Sequence, residues 1–175
     1  MHFVIGTLIA IATLVFWLGR ASQGAREIAS TANELANLPR KRRFAKNYNK
    51  RGHDLIETPL EAATVMLLAT ARMSDERCVT ENAELAIVSA LRADMHLSTE
   101  DADGIMRQIA GITHDIVLPE SALFPMVKIF RDHIEREDAT RLAAMMESVA
   151  AVDGGANTEQ KEFIRRFREH MGLVS

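Results

Sequence analysis

Two acidic motifs, 78 residues apart, carry the side chains best suited to chemistry. Laid on one another, ARMSDERCVTENAE (71–84) and VAAVDGGANTEQKE (149–162) superimpose Asp75 on Asp153, Thr80 on Thr158, Glu81 on Glu159 and Glu84 on Glu162. Grouped carboxylates suit a hard cation such as Ca²⁺ or Mg²⁺, which takes oxygen ligands at set geometry. The candidate metal ligands are therefore Asp75, Glu81, Glu84, Asp153, Glu159 and Glu162. A purely structural reading competes, in which Asp makes a turn and a first-turn Glu favours a helix start. Asp75 and Asp153, however, follow apolar helical stretches, and a carboxylate at a helix C-terminus opposes the dipole, so their placement asks for a separate reason. The second copy is not an EF-hand loop. Counting from Asp153, Gly155 stands third, no Gly stands sixth, and Ile164 occupies the twelfth place, where a bidentate Glu is required.

Other chemistries find little support. The chain has no Gly-rich phosphate loop, no His-Glu-x-x-His, no paired Cys and no Gly-x-Ser-x-Gly. The six His are scattered at 2, 53, 96, 114, 133 and 170, and those at 133 and 170 fall on mixed-charge helical faces, which reads as solvated surface. The single Cys78 excludes an intramolecular disulfide and agrees with a reducing compartment. The expectation is a protein that is not an enzyme. A metal-dependent hydrolase using the acidic turns ranks last, because no group that would activate a nucleophile is visible.

Both motifs need helices to position them, and from Thr58 onward the chain reads as helices alone. Thr58-Pro59-Leu60-Glu61 is a capping box with Pro at the first helical position, and the uncharged run 62–71 belongs in a core. Thr80 caps a second helix presenting Ala83, Ala86, Ile87, Ala90 and Leu91. Ser98 and Asp101 form a box before a third, with Ala102, Ile105, Met106, Ile109 and Ile112 on one face. Leu123, Met126, Val127, Phe130 and Ile134 mark a fourth, whose regular part is expected from near Pro125. Asp138 starts a fifth, with Ala139, Leu142, Ala143, Met146, Val149 and Ala150 inward. Thr158 starts a sixth, with Phe163, Ile164, Phe167 and Met171 inward and Gly172 as C-terminal cap. Each copy of the repeat is thus helix, acidic turn, Thr-capped helix. Two such pairs packed about a pseudo-twofold axis bring the acidic turns to comparable ends of a bundle.

A-x-x-x-D followed by T-E-x-x-E in the first copy, and V-A-x-x-D-G followed by T-E-x-x-E in the second, resemble the paired signatures of the TerB-like (tellurite-resistance) domain, a fold similar to the N-terminal domain of membrane-anchored DjlA co-chaperones. The resemblance covers about residues 55–174. It implies a compact all-helical domain, an association with metal or oxyanion stress at the membrane, and a divalent-cation role for the six acidic positions above. The first copy departs from the pattern, with Asp75-Glu76 where the family has Asp-Gly. No His-Pro-Asp tripeptide is present, so co-chaperone activity does not carry over.

The N-terminal part is of another kind. Met1 to Gly19 contains no Lys, Arg, Asp or Glu, and Phe3 to Leu18 is nearly all apolar, a length of about 24–28 Å as a helix, set against a hydrocarbon core of about 30 Å. Trp17 and Arg20 mark an interface at its end. Between Arg20 and Arg51 stand nine Lys/Arg and two Glu, net +7, which by the positive-inside rule leaves the C-terminal side in the cytoplasm. A cleaved signal peptide would carry its basic residues before the apolar core, not after it. Ala25, Ile28, Ala29, Ala32, Leu35 and Ala36 continue a helical pattern to about Leu38, Pro39 ends it, and the stretch from Arg40 to His53 reads as a flexible basic linker. Residues 52–175 carry twelve Lys/Arg and twenty-two Asp/Glu, net −10, which disfavours nucleic acid as a partner of the body.

The expected organisation is all-α: a single transmembrane anchor at 1–20, a juxtamembrane helix and basic linker at 21–53, and a six- to seven-helix bundle at 54–175. Its setting is the bacterial inner membrane, single-pass, with the C-terminal domain cytoplasmic. Its partners are anionic lipid, through the anchor and the basic stalk RKRRFAKNYNKR, and another protein. One functional expectation is a membrane-tethered interaction or sensing module, modulated by a divalent cation. The alternative is an accessory structural subunit of a larger membrane complex, with Gly6, Ala10 and Thr13 offering a small-residue face for helix packing.

Overall fold

A computed structural model describes residues 52–174. The expected anchor, the juxtamembrane helix and the linker as far as Arg51 lie outside the described residues. Within these residues the chain is all-helical, and no helix is long and apolar enough to cross a membrane. The order is α1 (Pro59–Arg72), α2 (Glu81–Met95), α3 (Thr99–Ile112), α4 (Leu123–His133), α5 (Arg136–Ala151) and α6 (Thr158–His170), with 3-10 turns at Gly52–Leu55 and Pro119–Ala122.

α1 is the axis of the bundle. Every residue from Leu60 to Ala71 is buried, and α2, α3, α4, α5 and α6 all pack on it. A helix that is apolar all round is stable only when surrounded, which is why its uncharged run carries no polar stripe. Its few polar groups are satisfied locally: Thr64 and Thr70 donate their hydroxyls to the Leu60 and Met66 carbonyls at 2.9 and 2.8 Å. The expected Thr58/Glu61 capping box is present, with the nearly inaccessible Glu61 carboxylate accepting the Thr58 and Glu57 N–H groups. Around α1 the other helices turn inward the residues their spacing predicts, among them Ile87, Leu91, Ile109, Met126, Phe130, Met146 and Phe167. Phe130 and Phe167 meet edge to face at 5.9 Å between ring centres, joining α4 to α6.

Helix starts depart from the sequence expectations in four places. Thr80 caps α2 as expected, but α6 is capped by Asn157, whose side chain accepts the Gln160 N–H while Gln160 returns a bond to the Asn157 N–H; Thr158 is only the first helical residue. α5 begins at Arg136, placing Asp138 within the first turn, where its charge still favours the dipole. α4 begins at Leu123, two residues before Pro125, since a proline in the first turn has no intrahelical hydrogen bond to lose. The Ser98 hydroxyl accepts the Asp101 N–H as foreseen, but the Asp101 carboxylate takes the Ser98 hydroxyl in place of the cap N–H. At the other end of the bundle Gly172, at φ +67°, closes α6 in a Schellman motif, with Leu173 N–H on Arg168 O and Gly172 N–H on Glu169 O.

Candidate functional site

The acidic turns follow α1 and α5. Arg77 takes a left-handed conformation (φ 55°) in the first, and Gly154 and Gly155 (both φ 109°) shape the second. Both turns border one cleft of about 220 Å³, lined by the apolar Ala71, Ala83, Val149 and Ala150 with the buried Gln160 beside them, and by Asp75, Glu76, Asp153 and Asn157 nearer the surface. Ala83, buried, stands in the third position of α2, where α6 has Gln160.

The hydrogen bonding across the cleft is crossed between the two copies. Asp75, at the end of α1, accepts from the Asn157 amide at the start of α6 (2.9 Å). Asp153, at the end of α5, accepts from the Thr80 hydroxyl (2.5 Å) and the Asn82 amide (3.1 Å) at the start of α2. Each aspartate is thus bound to side chains at the N-terminus of the other copy's second helix, the end where a negative charge is favoured. The neighbouring copy supplies a reason for their placement.

Asn157 and Gln160 extend the stitching into the core. The Asn157 amide also donates to the Met73 carbonyl at 2.8 Å, and the buried Gln160 amide donates to the Thr70 carbonyl at 3.0 Å. The capping box of α6 therefore also satisfies carbonyls at the C-terminal end of α1, two sets of orphan groups with one pair of side chains. Nearby, Arg72 reaches the end of α3, with Nη1 on the Thr113 carbonyl (2.7 Å) and hydroxyl (3.1 Å). Burial holds its guanidinium pKa below the ordinary value.

Of the six acidic residues singled out by sequence, the cleft brings together Asp75 and Asp153 only. Glu159 lies outside it, in a two-pronged ion pair with Arg77 (2.7 and 2.8 Å) that links the first turn to α6 and raises the Arg77 pKa. Glu162 faces solvent beside Arg165 (2.6 and 2.8 Å), whose hydrogen bond holds its carboxyl below the usual range; Arg165 also pairs with Glu169. Glu81 and Glu84 are exposed on α2. Among the described residues no three His, Cys, Asp or Glu side chains converge as a ligand set for a metal ion. The residues the sequence reading missed are Asn82, Asn157 and Gln160. Asn157-Thr158-Glu159-Gln160 is itself a capping-box pattern, but the Thr80/Thr158 alignment drew attention one residue too far.

No curated protein and no solved structure matches the chain. The family model described as "Tellurite resistance protein TerB" matches residues 61–175, which takes in all six helices apart from the first two residues of α1, and both acidic turns. On that match, the chain belongs to the TerB family of tellurite-resistance proteins.

Proposed function

We propose that this protein is a membrane-anchored TerB module on the cytoplasmic side of a bacterial inner membrane, which couples metal or oxyanion stress to a protein partner under control of a divalent cation. The observation that carries the reading is the shared cleft: two acidic turns, far apart in sequence, place Asp75, Glu76 and Asp153 on one rim beside an apolar wall. A carboxylate rim next to low-dielectric surface favours a hard cation, Ca²⁺ or Mg²⁺, over a soft one. The cation would compete with Asn157, Thr80 and Asn82 for the same aspartate oxygens, so its arrival would be felt at the starts of α2 and α6. The uncharged run 3–18 and the basic stalk after it support the anchor and its orientation.

Thermal melts of the full chain in detergent, with Ca²⁺, Mg²⁺ or EDTA, test the cation. Binding to the folded state alone stabilises by about 2.7 kcal/mol at a hundredfold excess over the dissociation constant. Asp75→Asn and Asp153→Asn should each remove that rise. A midpoint indifferent to all three additions leaves the carboxylates with a structural role only. Cells relying on either variant should tolerate tellurite less well than cells with the native chain. Alkaline extraction should leave the protein in the membrane pellet, and a periplasm-dependent reporter after Ser175 should be silent.

A further inference from the structure

The loop between α3 and α4 presents an apolar tip that the fold of the body does not use. Val117 is 87 % exposed and Leu118 59 %. The tip is held at both ends. Arg72 binds Thr113 on one side, and the Ser121 N–H and hydroxyl bind the Leu118 carbonyl at 3.0 and 2.6 Å on the other. Asp115 and Glu120, both exposed, flank the tip, and neither has an ion pair among the described residues, although Glu120 feels the charge of Arg77 across the surface.

The described chain enters the body at this same loop. A Cβ on Gly52 would sit 3.8 Å from the Ile116 side chain, next to Val117. The twelve residues before Gly52, RKRRFAKNYNKR, hold seven cations, no acid, and two aromatic rings, Phe44 and Tyr48. Tyr48 is four residues from Gly52, a reach of about 13 Å of extended chain, enough to lie over the adjacent Val117 and Leu118. We propose that the basic segment 40–51 docks on the 115–120 loop of its own body, with the Tyr48 ring on Val117 and Leu118 and flanking cations against Asp115 and Glu120. An anionic lipid surface fits this tip less well, because Asp115 and Glu120 would be repelled by it. A second copy of the loop would set acid against acid. Held in this way, the stalk is withheld from lipid headgroups, so the body and the membrane surface compete for the same cations.

Cysteine cross-linking in the full chain, in zwitterionic detergent and with Cys78→Ser as background, tests the proposal. Tyr48→Cys with Val117→Cys should form an intramolecular disulfide under mild oxidation much faster than Tyr48→Cys with Leu85→Cys on α2. Asp115→Asn with Glu120→Gln should slow the reaction severalfold. So should about 1 M salt, where the screening length falls to about 3 Å. Circular dichroism of each variant should show the native helix content. A rate indifferent to salt and to loop neutralisation would mean tethered collision only and would overturn the proposal, as would equal rates with both cysteine partners. A dye on Val117→Cys should not be quenched by brominated acyl chains in phosphatidylserine vesicles holding the full chain; quenching would put the tip in lipid and also overturn it.

Discussion

Asn157 donates its side-chain amide to Asp75 Oδ1 at 2.9 Å, and through that bond the residue that begins α6 supports the carboxylate that follows α1. The same amide holds the Met73 carbonyl, while its oxygen accepts the Gln160 N–H at 2.9 Å. One side chain thereby caps two helices and secures one acidic turn, so the two halves of the repeat are joined by polar contacts as well as by core packing.

Substitution at this position separates those roles. Asn157→Ala should destabilise the protein by about 1–2 kcal/mol in urea unfolding, the range for a lost N-cap. Asn157→Asp keeps the cap acceptor, and in an isolated helix it would be nearly silent. Here it loses both donated bonds and sets a carboxylate beside Asp75, so its cost should equal or exceed that of Ala. A near-neutral Asn157→Asp would show that the bonds to Met73 and Asp75 contribute little.

Gln160, 4 % exposed, gives a test by pH. Gln160→Leu leaves the Asn157 N–H without its partner and the Thr70 carbonyl with the Met73 N–H alone, at 3.3 Å, and should cost about 1–3 kcal/mol. In Gln160→Glu, the protonated acid can still donate to Thr70, whereas the carboxylate cannot and is buried. Its folded-state pKa should therefore lie above the unfolded value, with stability retained in acid and lost as pH rises past about 4.3. Unfolding midpoints that fall with rising pH in Gln160→Glu, against a native control, would bear this out.

The α4–α6 contact rests on a buried ring pair, Phe130 and Phe167. Phe167→Ala should cost about 3–5 kcal/mol, a large part of the stability of a domain this size, and should bring premature loss of helical circular dichroism on heating. Phe167→Leu keeps most of the volume and should retain the fold, at a cost that excess free energy in denaturant titrations can resolve.

His53, in the turn that leads into α1, is half-buried, and burial pushes its pKa below the ordinary value, partly offset by Asp54. Protonation is thus harder in the folded state. The associated stability is present above the ordinary imidazole value of about 6.5 and is lost as pH falls through the lowered one. His53→Asn should flatten that part of the stability profile, as followed by thermal melts across mildly acidic pH. A slope unchanged by the substitution would assign it to other groups.

The helical class was legible in the sequence because it depends on local physics. Helical apolar spacing, the Thr58/Glu61 box and the Thr80 cap act within a few residues of themselves, and α1 declared its central position by having no polar face to turn toward water. The 78-residue repeat likewise marked Asp75 and Asp153 as a pair. Their actual partners were not legible, because Asn157, Thr80 and Asn82 approach from the opposite copy, and only packing of α1 against α5 brings those turns to one cleft. For the same reason sequence could not tell that Glu159 would turn to Arg77, 82 residues away, whereas Glu162 and Arg165 stand three residues apart on one helix and meet by local spacing. An exposed carboxylate takes whichever cation the neighbouring surface supplies, and for Glu159 tertiary structure alone decides which surface that is.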